Sequence, residues 1–150
     1  MKQLTHIDRH GEANMVDVSA KPVLWREALA RGEVRLQKET LRLIDSQTVA
    51  KGNVLSAARL AGIMAAKKTG ELIPLCHPLP LTHCEVNFEI PRSRDRIIIS
   101  ASARISAQTG VEMEALTAVT LAALTIYDMC KAVDKKMRIT DIELISKTKR

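Results

Sequence analysis

The chain has 150 residues, a formal net charge of +6 and only 2% aromatic residues, namely Trp25, Phe88 and Tyr127. Its length suits one domain with a sizeable core, and no Gly/Ser- or Pro-rich linker, low-complexity tract or solenoid-period repeat divides it. The basic balance favours an anionic partner, whether a phosphorylated small molecule, nucleic acid or an anionic membrane surface, while the shortage of aromatic platforms argues against single-strand recognition by base stacking.

The opening residues 1–6 lack the apolar core of a signal peptide, so a cytoplasmic location is expected. Residues 8–20 read as a loop. A weak strand is expected over 25–36. Asn53 can cap a helix running to Lys68, with Val54, Leu55, Ala58, Leu60, Ala61, Ile63 and Met64 as its apolar face and Gly70 as a stop signal. Residues 69–81 form the second long loop candidate. Cys84, Val86, Phe88 and Ile90 then alternate with His83, Glu85, Asn87 and Glu89, the period of a strand with one apolar face. A turn over 91–95 and a β-branched strand over 96–105, with Ile97, Ile98 and Ile99 central, complete a hairpin.

A helix over 111–133 follows, and 137–145 alternates imperfectly as a final strand. The order strand, helix, two strands, helix, strand is the split βαβ arrangement. The expected fold is therefore α+β: a single ferredoxin-like βαββαβ sandwich over 1–150, with an antiparallel sheet and helices on one face.

The helix over 111–133 carries no charge in the thirteen residues from Ala115 to Tyr127, so it lacks the polar face of a surface helix. It is too short an apolar run for a typical bilayer span, so burial inside protein is expected. Because a helix in a two-layer domain normally keeps one side toward solvent, a second chain covering its outer side is expected. Asp128 and Lys131 follow at i, i+3 and share a face. Lys131 suits a helix C-terminus, whereas Asp128 opposes the macrodipole there. The pair reads either as a simple terminal ion pair or as a site at a subunit interface.

Cys76, His77, His83 and Cys84 crowd ten positions, yet no Cys-x-x-Cys spacing exists and the neighbours His83 and Cys84 point to opposite strand faces. No metal site is expected, and three cysteines without framework spacing imply reduced thiols. Pro78 and Pro80 stiffen the loop that directs His77, which serves either as a satisfied hydrogen-bonding group or in catalysis. Lys51 precedes a helix N-terminus that can bind an anion. Lys67 and Lys68 close that helix as macrodipole complements or anion ligands. Arg92, Arg94, Arg96, Lys147, Lys149 and Arg150 read as solvated charges. A capping box would pair Thr109 with Glu112. Glu114 points about 200° away around the helix, leaving at least one acid for a polar substrate group.

Four blocks together resemble the MoaC family, the cyclic pyranopterin monophosphate synthases of molybdenum cofactor biosynthesis. They are Met15-Val16-Asp17-Val18-Ser19; Lys51-Gly52-Asn53-Val54 through Ala65-Ala66-Lys67-Lys68-Thr69; Leu75-Cys76-His77-Pro78-Leu79-Pro80-Leu81-Thr82-His83; and Thr109-Gly110-Val111-Glu112-Met113-Glu114-Ala115-Leu116 through Tyr127-Asp128-Met129-Cys130-Lys131-Ala132. The likeness runs nearly end to end.

It implies a ferredoxin-like fold, a hexamer built as a trimer of dimers, and a site at a subunit interface. The implied substrate is 3′,8-cyclo-7,8-dihydroguanosine 5′-triphosphate, supplied by a radical-SAM GTP cyclase, and the implied products are cyclic pyranopterin monophosphate and pyrophosphate. By the same resemblance Asp128, Lys131 and Lys51 are catalytic, with lysine pKa values lowered if the amines are desolvated or crowded by cations. Leu75, Cys76, His77, Met113 and Glu114 line the pocket, with Glu112, Lys67, Arg26 and Asp17 contributing. No resident cofactor is expected, although a divalent cation can accompany a triphosphate. The rival is a basic nucleic-acid-binding protein, motivated by the +6 charge and the arginine-bearing turn.

Overall fold

A computed structural model describes residues 2–46 and 53–150. The elements are β1 (Leu24–Arg35), α1 (Lys38–Asp45), α2 (Val54–Lys67), α3 (Thr69–Leu72), β2 (His83–Glu89), β3 (Arg96–Ala107), α4 (Glu112–Cys130) and β4 (Arg138–Lys149). The four strands form one antiparallel sheet in the order β2-β3-β1-β4, which is the expected ferredoxin-like βαββαβ topology with two short helices added.

The alternating residues of β2 pair with β3 from His83–Arg104 to Glu89–Ile98, and the isoleucine-rich β3 is an inner strand, as its β-branched run predicts. The 25–36 segment is more than the weak strand its composition suggests. It is a full twelve-residue inner strand between β3 and β4. Ala28, Ala30, Gly32 and Val34 face inward, and Gly32 is required by contact rather than by conformation: a Cβ there would lie 2.7 Å from Val119 Cγ1. Small residues on β1 thus let α4 lie close to the sheet. At the far end of the strand, Trp25 and Arg150 exchange backbone hydrogen bonds of 3.1 and 2.9 Å, and the Arg150 guanidinium lies 4.7 Å from the centre of the indole ring.

Helix α2 starts as expected, with the Asn53 side chain accepting from Ser56 N at 2.9 Å. Its buried face is the predicted one only in part, through Val54 and Ala58 with Leu55 and Ile63 half-buried beside them. Val54, Ala58, Gly62, Ala65 and Ala66 are buried, whereas Leu60 is 60% and Met64 49% exposed. The reason is again close packing: a Cβ at Gly62 would sit 2.8 Å from the Ala118 carbonyl, so α2 meets α4 along its smallest residues rather than its largest.

In α4 the residues Ala115, Ala118, Val119, Ala122, Ala123 and Ile126 are fully buried. Burial does not extend all round within one chain, since Leu124 is 50% exposed and Leu116 and Leu121 are half-buried. By length and composition α4 could cross a bilayer, but its inner side is the core of this domain. After α4 the chain turns at Asp134, a buried carboxylate that accepts from Gln37 N at 3.0 Å, Thr40 Oγ1 at 2.8 Å and Lys136 N at 2.9 Å. One side chain so fastens the end of α4 to the start of α1.

The opposite sheet face is charged. Glu33, buried, is held by Arg31 at 3.2 Å, Arg35 at 3.3 Å and Arg96 at 3.5 Å. Arg94 in the hairpin turn pairs with Asp45 at 2.5 Å. Arg94 and Arg96 are therefore ion-paired rather than merely solvated, which removes two cations on which a nucleic-acid-binding face would rest.

Candidate functional site

The conformationally stiff segment after α3, the first turn of α4 and the segment before β1 converge on one cleft of about 270 Å³. Leu75, Cys76 and His77 form one wall, while Glu112, Met113 and Glu114 form another. These are six of the residues singled out in the sequence, brought together from two distant blocks. Two flanking recesses extend the cleft. One, of about 170 Å³, contains Arg26 and shares Glu112 with it; the other, of about 300 Å³, contains Lys67 and shares Glu114.

Glu114 is 4% exposed, and its Oε2 is buried without a hydrogen-bond partner among the described residues. Burial pushes its carboxyl up to about 7 from an ordinary 4.5. A hydrogen bond from its own backbone N–H opposes the rise, and the charge of Glu112 adds to it. A carboxyl in this state can accept or release a proton near neutrality.

Glu112 does not close a capping box. Val111 is the N-cap of α4 with no side-chain hydrogen bond, and Glu112 instead folds back over Gly110 and pairs with Lys147 of β4 at 3.2 Å. A Cβ at Gly110 would meet that carboxylate and displace it. Lys147 is thus a partner of the site that sequence reasoning took for a solvated charge. Only strand pairing reveals it, because the two residues are 35 positions apart.

The His77 Nε2 lies 2.6 Å from the carbonyl oxygen of Val16. A carbonyl can only accept, so Nε2 carries the proton and the ring's orientation is fixed by this contact. Asp17, next along, is exposed and held below the usual carboxylate range chiefly by hydrogen bonds from Ser19, with His77 contributing. Burial, aided by the charge of Glu114, raises the Cys76 thiol above its ordinary value, which keeps it protonated and disfavours a thiolate nucleophile. Cys76, Cys84 and Cys130 are free. His83 is exposed while Cys84 is turned inward, as the strand alternation requires, and no group of three metal-ligating side chains gathers among the described residues. Arg26 donates to the carbonyls of Ala107 and Gln108 at 3.0 and 3.2 Å, which aims its guanidinium at the seam between β1 and the start of α4.

Asp128 and Lys131 pair at 2.9 Å but lie outside this cleft. Their side chains are 53% and 57% exposed, so within one chain they are not desolvated. The hydrogen bond from Lys131 to Asp128 raises the ammonium pKa rather than lowering it. Lys51 lies outside the described residues. Thr5, His6, Val16, Val18 and Lys21 also line the cleft. Of these, only Val16 and Val18 fall in a block that the sequence marked.

Fold and cleft define a ferredoxin-like α+β protein with a cleft lined by the buried Glu114, the half-buried Glu112 and the imidazoles of His6 and His77. The MoaC family model matches residues 15–150, and the chain belongs to the MoaC family. It is 60% identical over 145 residues to the cyclic pyranopterin monophosphate synthase of Chloroflexus aggregans, covering 97% of this chain and 88% of the relative. The corresponding enzyme of Pelotomaculum thermopropionicum is 58% identical over 148 residues, covering 99% and 87%. That of Parvibaculum lavamentivorans is 54% identical over 147 residues, covering 98% and 92%.

Proposed function

We propose that this protein is a lyase of molybdenum cofactor biosynthesis that converts 3′,8-cyclo-7,8-dihydroguanosine 5′-triphosphate into cyclic pyranopterin monophosphate and pyrophosphate. It does so in the cytoplasm by general acid/base catalysis, without a resident cofactor, although a divalent cation can travel with the triphosphate. A radical-SAM GTP cyclase supplies the substrate. The observation that carries this reading is Glu114: a buried carboxyl with a pKa of about 7 and an unpartnered oxygen, on the wall of a cleft shared with Leu75, Cys76 and His77. Relatives named for this synthesis, aligned over nearly the whole chain, support the same assignment.

Rearranging a purine into a pterin needs groups that move protons near neutral pH, and Glu114 has that property. The catalytic pair is Asp128 and Lys131, with Lys51 as a further base or phosphate ligand. Glu114 and Asp128 are fourteen positions apart on one helix, about 21 Å along the axis at 1.5 Å per residue. One chain therefore cannot bring both to one substrate. A second copy can, by setting the C-terminal end of its α4 beside this cleft. The half-exposed apolar side of α4, including Leu116, Leu121 and Leu124, supports such an assembly. In the hexamer, a trimer of dimers, Asp128 and Lys131 lose the water that surrounds them in one chain. Arg26 and Lys67, in the flanking recesses, hold the phosphates and stabilise charge as pyrophosphate leaves.

Purified protein incubated with the cyclised nucleotide should yield a fluorescent pterin after oxidation, together with free pyrophosphate. Asp128→Ala and Lys131→Ala should fold and assemble but form no pterin. Wild-type turnover by both variants would overturn their assignment, and sedimentation as a 16.6 kDa monomer would overturn the shared site.

A further inference from the structure

The segment ahead of β1 is not a loose tail but a strap laid against the cleft. A β-bridge between Ile7 and Ala13 closes its first half, and Asp8 accepts backbone hydrogen bonds from His10 and Glu12 at 2.8 and 3.0 Å. Its second half is fastened from outside. His77 donates to the Val16 carbonyl at 2.6 Å and Gln108 Nε2 donates to the Ser19 carbonyl at 3.1 Å, while within the segment Lys21 N closes a turn onto the Val18 carbonyl at 3.0 Å. Lys21 therefore projects from a segment fixed on both sides of the cleft, by the 75–77 wall and by the residues just ahead of α4.

Among the described residues lining the cleft, Lys21 is the sole lysine or arginine, and it makes no ion pair with any described carboxylate. Glu112 takes up the charge of Lys147, and Glu114 adds negative charge whenever it is ionised, so a polyphosphate brought into this space needs a further cation. Arg26 and Lys67, assigned above to the phosphates, act from the flanking recesses, which leaves Lys21 as the cation that lines the cleft itself.

We propose that Lys21 is a substrate-binding residue: its ammonium, presented by the strap, holds the polyphosphate end of the nucleotide across the cleft from Glu112 and Glu114. This rests on the proposed function above. The strap is part of the site, and His77 acts on the phosphate end indirectly, by holding the backbone from which Lys21 reaches.

Calorimetric titration of the assembled protein with GTP and with guanosine, for wild type, Lys21→Ala and Lys21→Arg, tests it. Removing a charge-assisted hydrogen bond to phosphate should weaken GTP binding by about 10-fold or more in Lys21→Ala. Guanosine affinity should be unchanged, and Lys21→Arg should recover most of the loss. Thermal melts of the two variants should match wild type, because Lys21 is exposed. Equal GTP affinity in wild type and Lys21→Ala overturns the proposal, as does an equal loss for guanosine. Turnover of the cyclised nucleotide by wild type, followed in parallel, separates the two readings. Absent turnover defeats the proposed function, whereas normal turnover with unchanged GTP binding in Lys21→Ala defeats only the role of Lys21.

Discussion

Glu114→Gln should make the protein more stable and less active, and the two effects should part company with pH. The carboxyl titrates at about 7 in the fold against an ordinary 4.5, a difference worth about 3 kcal/mol. Between those values the folded chain keeps a proton that the unfolded chain has released. Stability contributed by this group is therefore greatest near pH 4.5 and falls as pH rises to about 7, beyond which the full penalty applies. Glutamine has nearly the same shape and never ionises, so at pH 8 it removes the penalty. Its two amide hydrogens need acceptors in a space where Oε2 has no partner, which trims the gain to about 1–3 kcal/mol. For a chain of this length that is roughly 3–10 °C in melting temperature. Scanning calorimetry of both proteins from pH 5 to 8.5, at one fixed protein concentration, would measure it. The gain should be large at pH 8 and vanish near pH 5, while pterin formation falls at both. Parallel stability curves across that range would refute the claim that burial of an ionised Glu114 strains this cleft.

Gly62→Ala should cost about 1–3 kcal/mol in chemical denaturation, because the new Cβ meets the Ala118 carbonyl at 2.8 Å and Val86 Cγ2 at 3.2 Å. An unchanged midpoint would mean that α2 and α4 are less tightly set. Asp134→Ala, which strands the Gln37 and Lys136 N–H groups and the Thr40 hydroxyl, should cost about 2–4 kcal/mol. The Asp134 carboxyl is held below 3.8, so its stabilisation is present above that value and fades only in stronger acid; a wild-type urea midpoint in the variant at pH 7 would contradict it. Asp128→Asn and Lys131→Met, altering a pair that is exposed within one chain, should abolish product while the fold and the assembly persist, and loss of either by circular dichroism or sedimentation would recast the pair as structural.

Patterns that depend on neighbours in sequence were legible. The alternation over 83–90, the isoleucine run of β3 and the Asn53 cap each report a local preference, and each found its predicted element. The Leu75-Cys76-His77 and Glu112-Met113-Glu114 blocks, marked by the family resemblance rather than by local pattern, form the cleft walls. What depends on approach between distant segments was not legible. Ala28, Ala30 and Gly32 are poor strand formers taken alone, and they occupy β1 because α4 needs the space above them. Leu60 and Met64 look like core residues until α2 turns its glycine and alanines inward. Thr109 and Glu112 satisfy a capping-box spacing, yet Lys147 from β4 draws the carboxylate away. Helix α1 was missed because its moorings, Asp134 and the buried Leu41 and Ile44, are fixed by tertiary contact. Lys21 carried no motif at all; only the path of the strap brings it to the cleft.

Trp25 is the one tryptophan of the chain, and it sits beneath Arg150 where the first and last strands join. Intrinsic fluorescence excited at the indole band will therefore report on peeling of that outermost strand, and remain silent about the alanine-packed interior. A fluorescence transition that precedes the loss of helical circular dichroism would then signify fraying at this seam, with the cleft between residues 75–77 and 112–114 still assembled.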